Sequence, residues 1–124
     1  MLSSGLLDFI QSVVRSVWAV ELMLVLRHDA ERVWTSEELV RELRGSPALV
    51  TENLGLFTAG GVVDETEPGR FKYRPASAAL AALCDELERE YRQRPVTVMQ
   101  AILARRNSKV QSLADAFRFR GSDK

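Results

Sequence analysis

Apolar positions recur along this chain with helical spacing over most of its length. Ser4 to Arg27 reads as helix, in one or two pieces. From Val13 to Leu26 it is apolar on nearly every side, with 11 apolar residues in 14. Such a helix must be covered all round, by its own chain or by a second copy. His28 to Arg32 form a polar connector. Thr35, as N-cap with Glu38 three residues on, opens a second helix through a capping box. Leu39, Val40 and Leu43 fall on one of its faces. Gly45 reads as a left-handed stop. Ser46 and Pro47 restart a helix at once, as N-cap and first-turn proline. Val50, Leu54 and Phe57 form its buried stripe at i, i+4, i+7, and Gly60-Gly61 ends it.

The period then changes from helical to alternating. Val62-Val63 reads as a short strand and Pro68-Gly69 as a turn. Arg70-Phe71-Lys72-Tyr73-Arg74 alternates bases with aromatics, as a half-buried strand does. Ser77 caps a further helix whose buried face is Leu80, Leu83, Cys84, Leu87 and Tyr91, with Glu88 and Arg92 as an i, i+4 pair. After the Arg94-Pro95 break, Val96 to Arg106 reads as a helix with Met99, Ile102 and Leu103 on one side. Val110, Leu113, Ala114 and Phe117 give a last amphipathic segment, and Asn107-Ser108 is a possible joint in that final helix. Phe117 and Phe119, in a basic tail, suggest a docking segment.

The segment from Trp34 to Arg74 resembles the winged helix-turn-helix family. The resemblance is carried by Thr35-Ser36-Glu37-Glu38-Leu39-Val40, by Gly45-Ser46-Pro47-Ala48-Leu49-Val50, by Leu54 and Phe57, and by Ala59-Gly60-Gly61-Val62-Val63. With the leading helix it covers about half of the chain. It implies a mainly α fold with a small β-hairpin: a winged helix-turn-helix core at about 13–92, a helical arm at 4–12 and helices at 96–120, in one domain. It also implies a transcription-regulator type of module. Ala48 to Ala59 would be the recognition helix in the major groove, and Val62 to Arg74 the wing on phosphate or minor groove.

Charge changes that picture. The chain has 17 basic and 17 acidic residues and zero net charge. Residues 1–69 hold 5 Lys/Arg and 11 Asp/Glu; residues 70–124 hold 12 and 6. No Lys or Arg occurs from Gly45 to Gly69, whereas Glu52, Asp64, Glu65 and Glu67 do. Base reading relies mainly on Arg, Lys, Asn and Gln, with phosphate contacts supplying affinity. Asn53 is the only amide in this stretch. The expected outward face of the second helix is Ala48, Leu49, Thr51, Glu52, Gly55, Leu56 and Thr58. A mid-helix glycine suits a place where another backbone or side chain packs close, and Leu49 and Leu56 suit a protein partner. Leu49, Glu52, Gly55 and Leu56 are therefore the expected partner-binding face. Arg70, Lys72 and Arg74, with Arg105, Arg106 and Lys109, are the alternative nucleic-acid contacts.

Other chemistry is thin. One His and one Cys exclude a zinc site built from those ligands and any intrachain disulfide. His28 has no paired nucleophile or carboxylate motif. Cys84 lies on an apolar stripe, Asp85, Glu86, Glu88 and Glu90 read as a solvated face, and Trp18 and Trp34 as core anchors. No phosphate-binding loop or dinucleotide fingerprint is present. The expectation is a non-catalytic module without cofactor, metal or small-molecule substrate, cytoplasmic and away from membranes. Its expected partner is a protein or itself as a homodimer, with DNA as the alternative.

Overall fold

The computed structural model describes residues 2–104. The chain is mainly helical, with a small antiparallel sheet of three strands. Two helices lead, α1 (Ser4–Ser12) and α2 (Val17–His28), separated by a break at which their axes bend by 101°. Serine starts both: the Ser3 hydroxyl accepts from the Leu6 N–H and the Ser16 hydroxyl from the Ala19 N–H, so each satisfies one of the orphan donors of a first turn.

Ala19, Val20, Leu22, Met23 and Leu26 of α2 are fully buried by the chain itself, while Val17, Trp18, Leu24 and Val25 pack half-buried around them. The covering demanded by the apolar pattern is thus met within one chain. Leu6, Phe9 and Ile10 of α1 belong to the same core, which runs from Leu2 to Ile102. Among the described residues no single helix is long and apolar enough to cross a membrane.

A short strand β1 (Val33–Thr35) follows the connector and leads directly into α3 (Ser36–Leu43). The capping box at this start is complete: the Thr35 hydroxyl accepts from the Glu38 N–H at 3.2 Å, and the Glu38 carboxylate accepts from the Thr35 N–H at 2.8 Å. The turn out of α3 corrects one expectation. The left-handed residue is Arg44, at φ 52°, and not Gly45. Gly45 is required for space: a Cβ there would come within 2.6 Å of the Trp18 ring.

Helix α4 (Pro47–Ala59) begins as expected, with Ser46 accepting from the Leu49 N–H and Pro47 in the first turn. Val50, Leu54 and Phe57 are buried against the core. Gly60 and Gly61 end it. Gly61 takes φ +80°, a backbone state that costs glycine nothing, and Gly60 leaves room for the Val13 methyls, which a Cβ would meet at 2.7 Å.

The hairpin is β2 (Val63–Glu67) and β3 (Arg70–Tyr73), turned at Pro68-Gly69 with Gly69 at φ +79°. A register shift between Glu65 and Glu67 marks a bulge. The third strand was not expected. β1 pairs with β3 on the side away from β2, setting Trp34 opposite Phe71, so the sheet order is β1-β3-β2.

Helix α5 (Ala78–Gln93) buries Cys84 and Leu87 and packs on α1. A further helix, α6 (Pro95–Ala104), corrects the expected face: Val98 and Ile102 are buried, whereas Leu103 is 53% exposed. A half-buried ionic cluster ties α2, β3 and α5 together. Arg27 pairs with Asp85, reaches Glu88 at 3.2 Å and donates to the Tyr73 hydroxyl at 3.4 Å.

Candidate interaction surface

The outward side of α4 is the surface that the sequence singles out, and its chemistry follows from helical geometry. Successive residues turn by about 100°. With Val50, Leu54 and Phe57 turned inward, Thr51, Glu52, Gly55 and Thr58 are exposed and Leu49 and Leu56 half-buried. Asn53 is buried, and its amide donates to the Leu49 carbonyl of its own helix at 2.9 Å. The one amide of the stretch is therefore not presented to a base edge. What remains outward is neutral, small or anionic.

The four residues expected to form one docking face do not all sit together. Leu49, Glu52 and Leu56 lie within about 60° of one another around the axis, while Gly55 is about 120° from Leu49. Gly55 instead opens onto a groove of about 530 Å³ between α4 and the hairpin. The helix contributes Thr51, Leu54, Gly55, Thr58 and Ala59 to it, and the sheet side contributes Glu65, Gly69 and Phe71. Among the described residues a Cβ added at Gly55 or Gly69 would meet nothing within 4 Å. The expectation that a neighbour packs on Gly55 is thus not met by residues 2–104. The hairpin side of this groove escaped the sequence reading, because Phe71 and Glu65 meet α4 only through tertiary folding.

β3 and the residue after it carry three cations on alternate positions, with Arg70 and Arg74 exposed and Lys72 half-buried. Each has an acidic partner in the same chain. Arg70 lies 3.6 Å from Glu67, Lys72 3.4 Å from Glu31 and Arg74 3.8 Å from Asp64. Asp64, Glu65 and Glu67 balance Arg70, Lys72 and Arg74, so the hairpin has no net charge. Exposed pairs of this kind contribute about 0–1 kcal/mol each. Their consequence is electrostatic: the field that would draw a polyanion is cancelled at its source. Arg105, Arg106 and Lys109, as well as Phe117 and Phe119, lie outside the described residues.

Two other places bring charged and titratable groups together. Beside β1, the Arg32 guanidinium stacks 3.6 Å from the centroid of the Trp34 ring and reaches Glu38 at 3.2 Å. This holds the connector onto the start of α3. The Thr35 N–H, helped by Arg32, keeps the Glu38 carboxyl below the usual carboxylate range. Around Arg27, burial and the neighbouring Cys84 push the Tyr73 hydroxyl well above its ordinary pKa, and burial does the same to the Cys84 thiol. A buried thiol raised in this way is no nucleophile. Among the described residues no group of three or more His, Cys, Asp or Glu is placed to hold a metal ion.

Comparison with known proteins finds nothing similar: no family model matches the sequence, and no curated protein or solved structure matches the chain.

Proposed function

We propose that the chain is a non-catalytic regulatory module with a winged helix-turn-helix core, working in a transcription-related setting by binding protein rather than DNA. The order α2, β1, α3, α4, β2, β3 supports that description of the core, with α4 in the recognition position and the hairpin as the wing.

One observation carries the functional half: the outward side of α4 offers no cation and no free amide, and presents Leu49, Glu52, Gly55 and Leu56 instead. A helix so equipped has nothing to pair with base edges, and Glu52 repels phosphate. Its small, apolar and anionic groups suit a protein surface.

The experiment uses the full-length chain as bait, wild type beside Leu56→Glu and beside Gly55→Arg, each checked for native circular dichroism. Proteins retained by wild type and lost with Leu56→Glu are the expected result, and loss with Gly55→Arg as well extends the surface to the groove. Identical sets for all three remove this face from the account. Light scattering on the same samples reads whether a second copy is among the partners.

The second reading is a DNA-binding regulator that grips through Arg70, Lys72 and Arg74, joined by Arg105, Arg106 and Lys109. Its support is that the three strand cations share one side of the hairpin, in surface pairs weak enough to exchange for phosphate.

A further inference from the structure

The groove between α4 and the hairpin has the size and the lining of a small-ligand site. Its volume of about 530 Å³ lies within the range of about 300–1,000 Å³ usual for such sites. Leu54, Ala59 and Phe71 make the lining largely apolar, and Ser36, Thr51 and Thr58 are its neutral polar residues. Among the described residues no Lys or Arg lines it, and its single ionisable residue is Glu65.

Strand register sets Glu65 apart from the acids beside it. Glu65 stands opposite Phe71, and residues paired across an antiparallel ladder share a face, so both line the groove. Asp64, one position earlier, stands opposite Lys72 on the other face. Asp64 and Glu67 are paired with Arg74 and Arg70, whereas Glu65 has no cationic partner among the described residues. Its carboxylate is still held in place. One oxygen accepts from the Gly69 N–H at 2.9 Å across the hairpin turn, and the group keeps acceptor capacity for a ligand. The mouth of the groove is open from both sides, since a Cβ at Gly55 or Gly69 would meet nothing within 4 Å. Gly69 needs its freedom for the turn, at φ +79°. Gly55 lies in mid-helix, where glycine is less favourable than alanine. Among the described residues nothing uses the space it leaves, so that glycine serves what enters the groove.

We propose that the groove binds a small organic cation. A flat apolar body lies on Leu54 and Phe71 between the two glycines, and a protonated amine or amidine donates to the Glu65 carboxylate. Burial of the apolar body supplies the affinity, and the fixed carboxylate selects the charge. An anion of the same shape would meet Glu65 with no base in the lining to offset the repulsion. The site is separate from the docking of protein proposed above, because Leu49, Glu52 and Leu56 are not among the residues that line it.

The test titrates the full-length chain with naphthylmethylamine and, separately, with naphthylmethanol as its uncharged counterpart, and follows amide spectra. Saturable shifts confined to the groove, at Gly55, Thr58, Gly69 and Phe71, are expected, with the amine binding about fivefold more tightly than the alcohol. Glu65→Gln keeps an acceptor for the Gly69 N–H and should bring the amine down to the affinity of the alcohol. Gly55→Trp, with native circular dichroism, should abolish saturation by both. The proposal is overturned by an absence of saturable shifts, by shifts centred elsewhere, or by equal affinity of amine and alcohol for wild type. It is overturned equally by an amine that binds Glu65→Gln as it binds wild type. None of these results touches the protein-docking reading, which fails separately, when wild type, Leu56→Glu and Gly55→Arg retain identical sets of proteins.

Discussion

Three glycines show how differently one residue type is used. Gly45 and Gly60 exist for neighbours that are present, the Trp18 ring and the Val13 methyls. Gly55 has no neighbour among the described residues and sits in mid-helix, where glycine costs about 0.5–1 kcal/mol relative to alanine. Gly55→Ala should therefore raise unfolding stability by up to about 1 kcal/mol, while Gly45→Ala should lower it by about 1–3 kcal/mol through overpacking. Urea denaturation reads both. A Gly55→Ala that destabilises would mean that the position serves the fold and not an incoming chain. Tyr91 gives the second prediction at this scale. Its hydroxyl donates to Glu21 at 2.6 Å, and that bond, with some burial, raises its pKa to about 12. The folded value lies above the unfolded one of about 10, so this contribution is complete below pH 10 and is lost as pH rises toward 12. Alkaline unfolding of Tyr91→Phe should accordingly show a shallower decline over that window than wild type, with the raised Tyr73 accounting for what remains.

At the scale of elements, the start of α3 is the most economical device in the molecule. Thr35 and Glu38 close a reciprocal cap at the point where β1 becomes helix, and Arg32 holds Glu38 from outside while covering Trp34. Thr35→Ala should cost about 0.5–2 kcal/mol, measured by thermal or denaturant unfolding. Glu38 has its pKa lowered in the folded state, so its contribution is present above the unfolded value and disappears as acid brings pH down through the folded one. The wild-type stability curve should thus fall at acid pH more steeply than that of Glu38→Gln.

This corner also marks the limit of legibility. Ser, Thr and Pro at the helix starts, and Gly69 in the hairpin turn, are local chemistry, and they placed α3, α4, β3 and α5. β2 runs Val63–Glu67, well beyond the Val62-Val63 expected, because its exposed Asp, Glu and Thr show no apolar alternation. β1 was not legible, because Val33-Trp34-Thr35 is too short to show a period and its partner β3 lies far along the chain. The same holds for the site. The non-basic outward side of α4 could be counted from the sequence. The groove, the cis-paired cations of the hairpin and the separation of Gly55 from Leu49 needed α4 and the sheet in three dimensions. The Gly45 expectation failed for a related reason: only the folded chain brings Trp18 against that turn and leaves Arg44 to take the left-handed state.

For the whole molecule, one core joins residues from Leu2 to Ile102 and encloses α2 without a second copy. Cys84, within that core, is the chain's single cysteine, fully buried and with a raised pKa. It should react with a thiol reagent only at the rate of opening of the core, in step with global unfolding across a denaturant series; fast labelling under native conditions would contradict the packing of α5. The described surface over that core divides into an outward α4 side poor in cations and a hairpin whose bases each pair with an acid of the same chain. The proposal that this molecule addresses protein and not nucleic acid rests on that division.

Titrating labelled mixed-sequence duplex DNA with the full-length chain, over a series of salt concentrations beginning low, tests it most directly. The account predicts no saturable binding at any salt concentration. Saturable binding at low salt that weakens as salt is added, and weakens again in Arg70→Ala/Lys72→Ala, would contradict it.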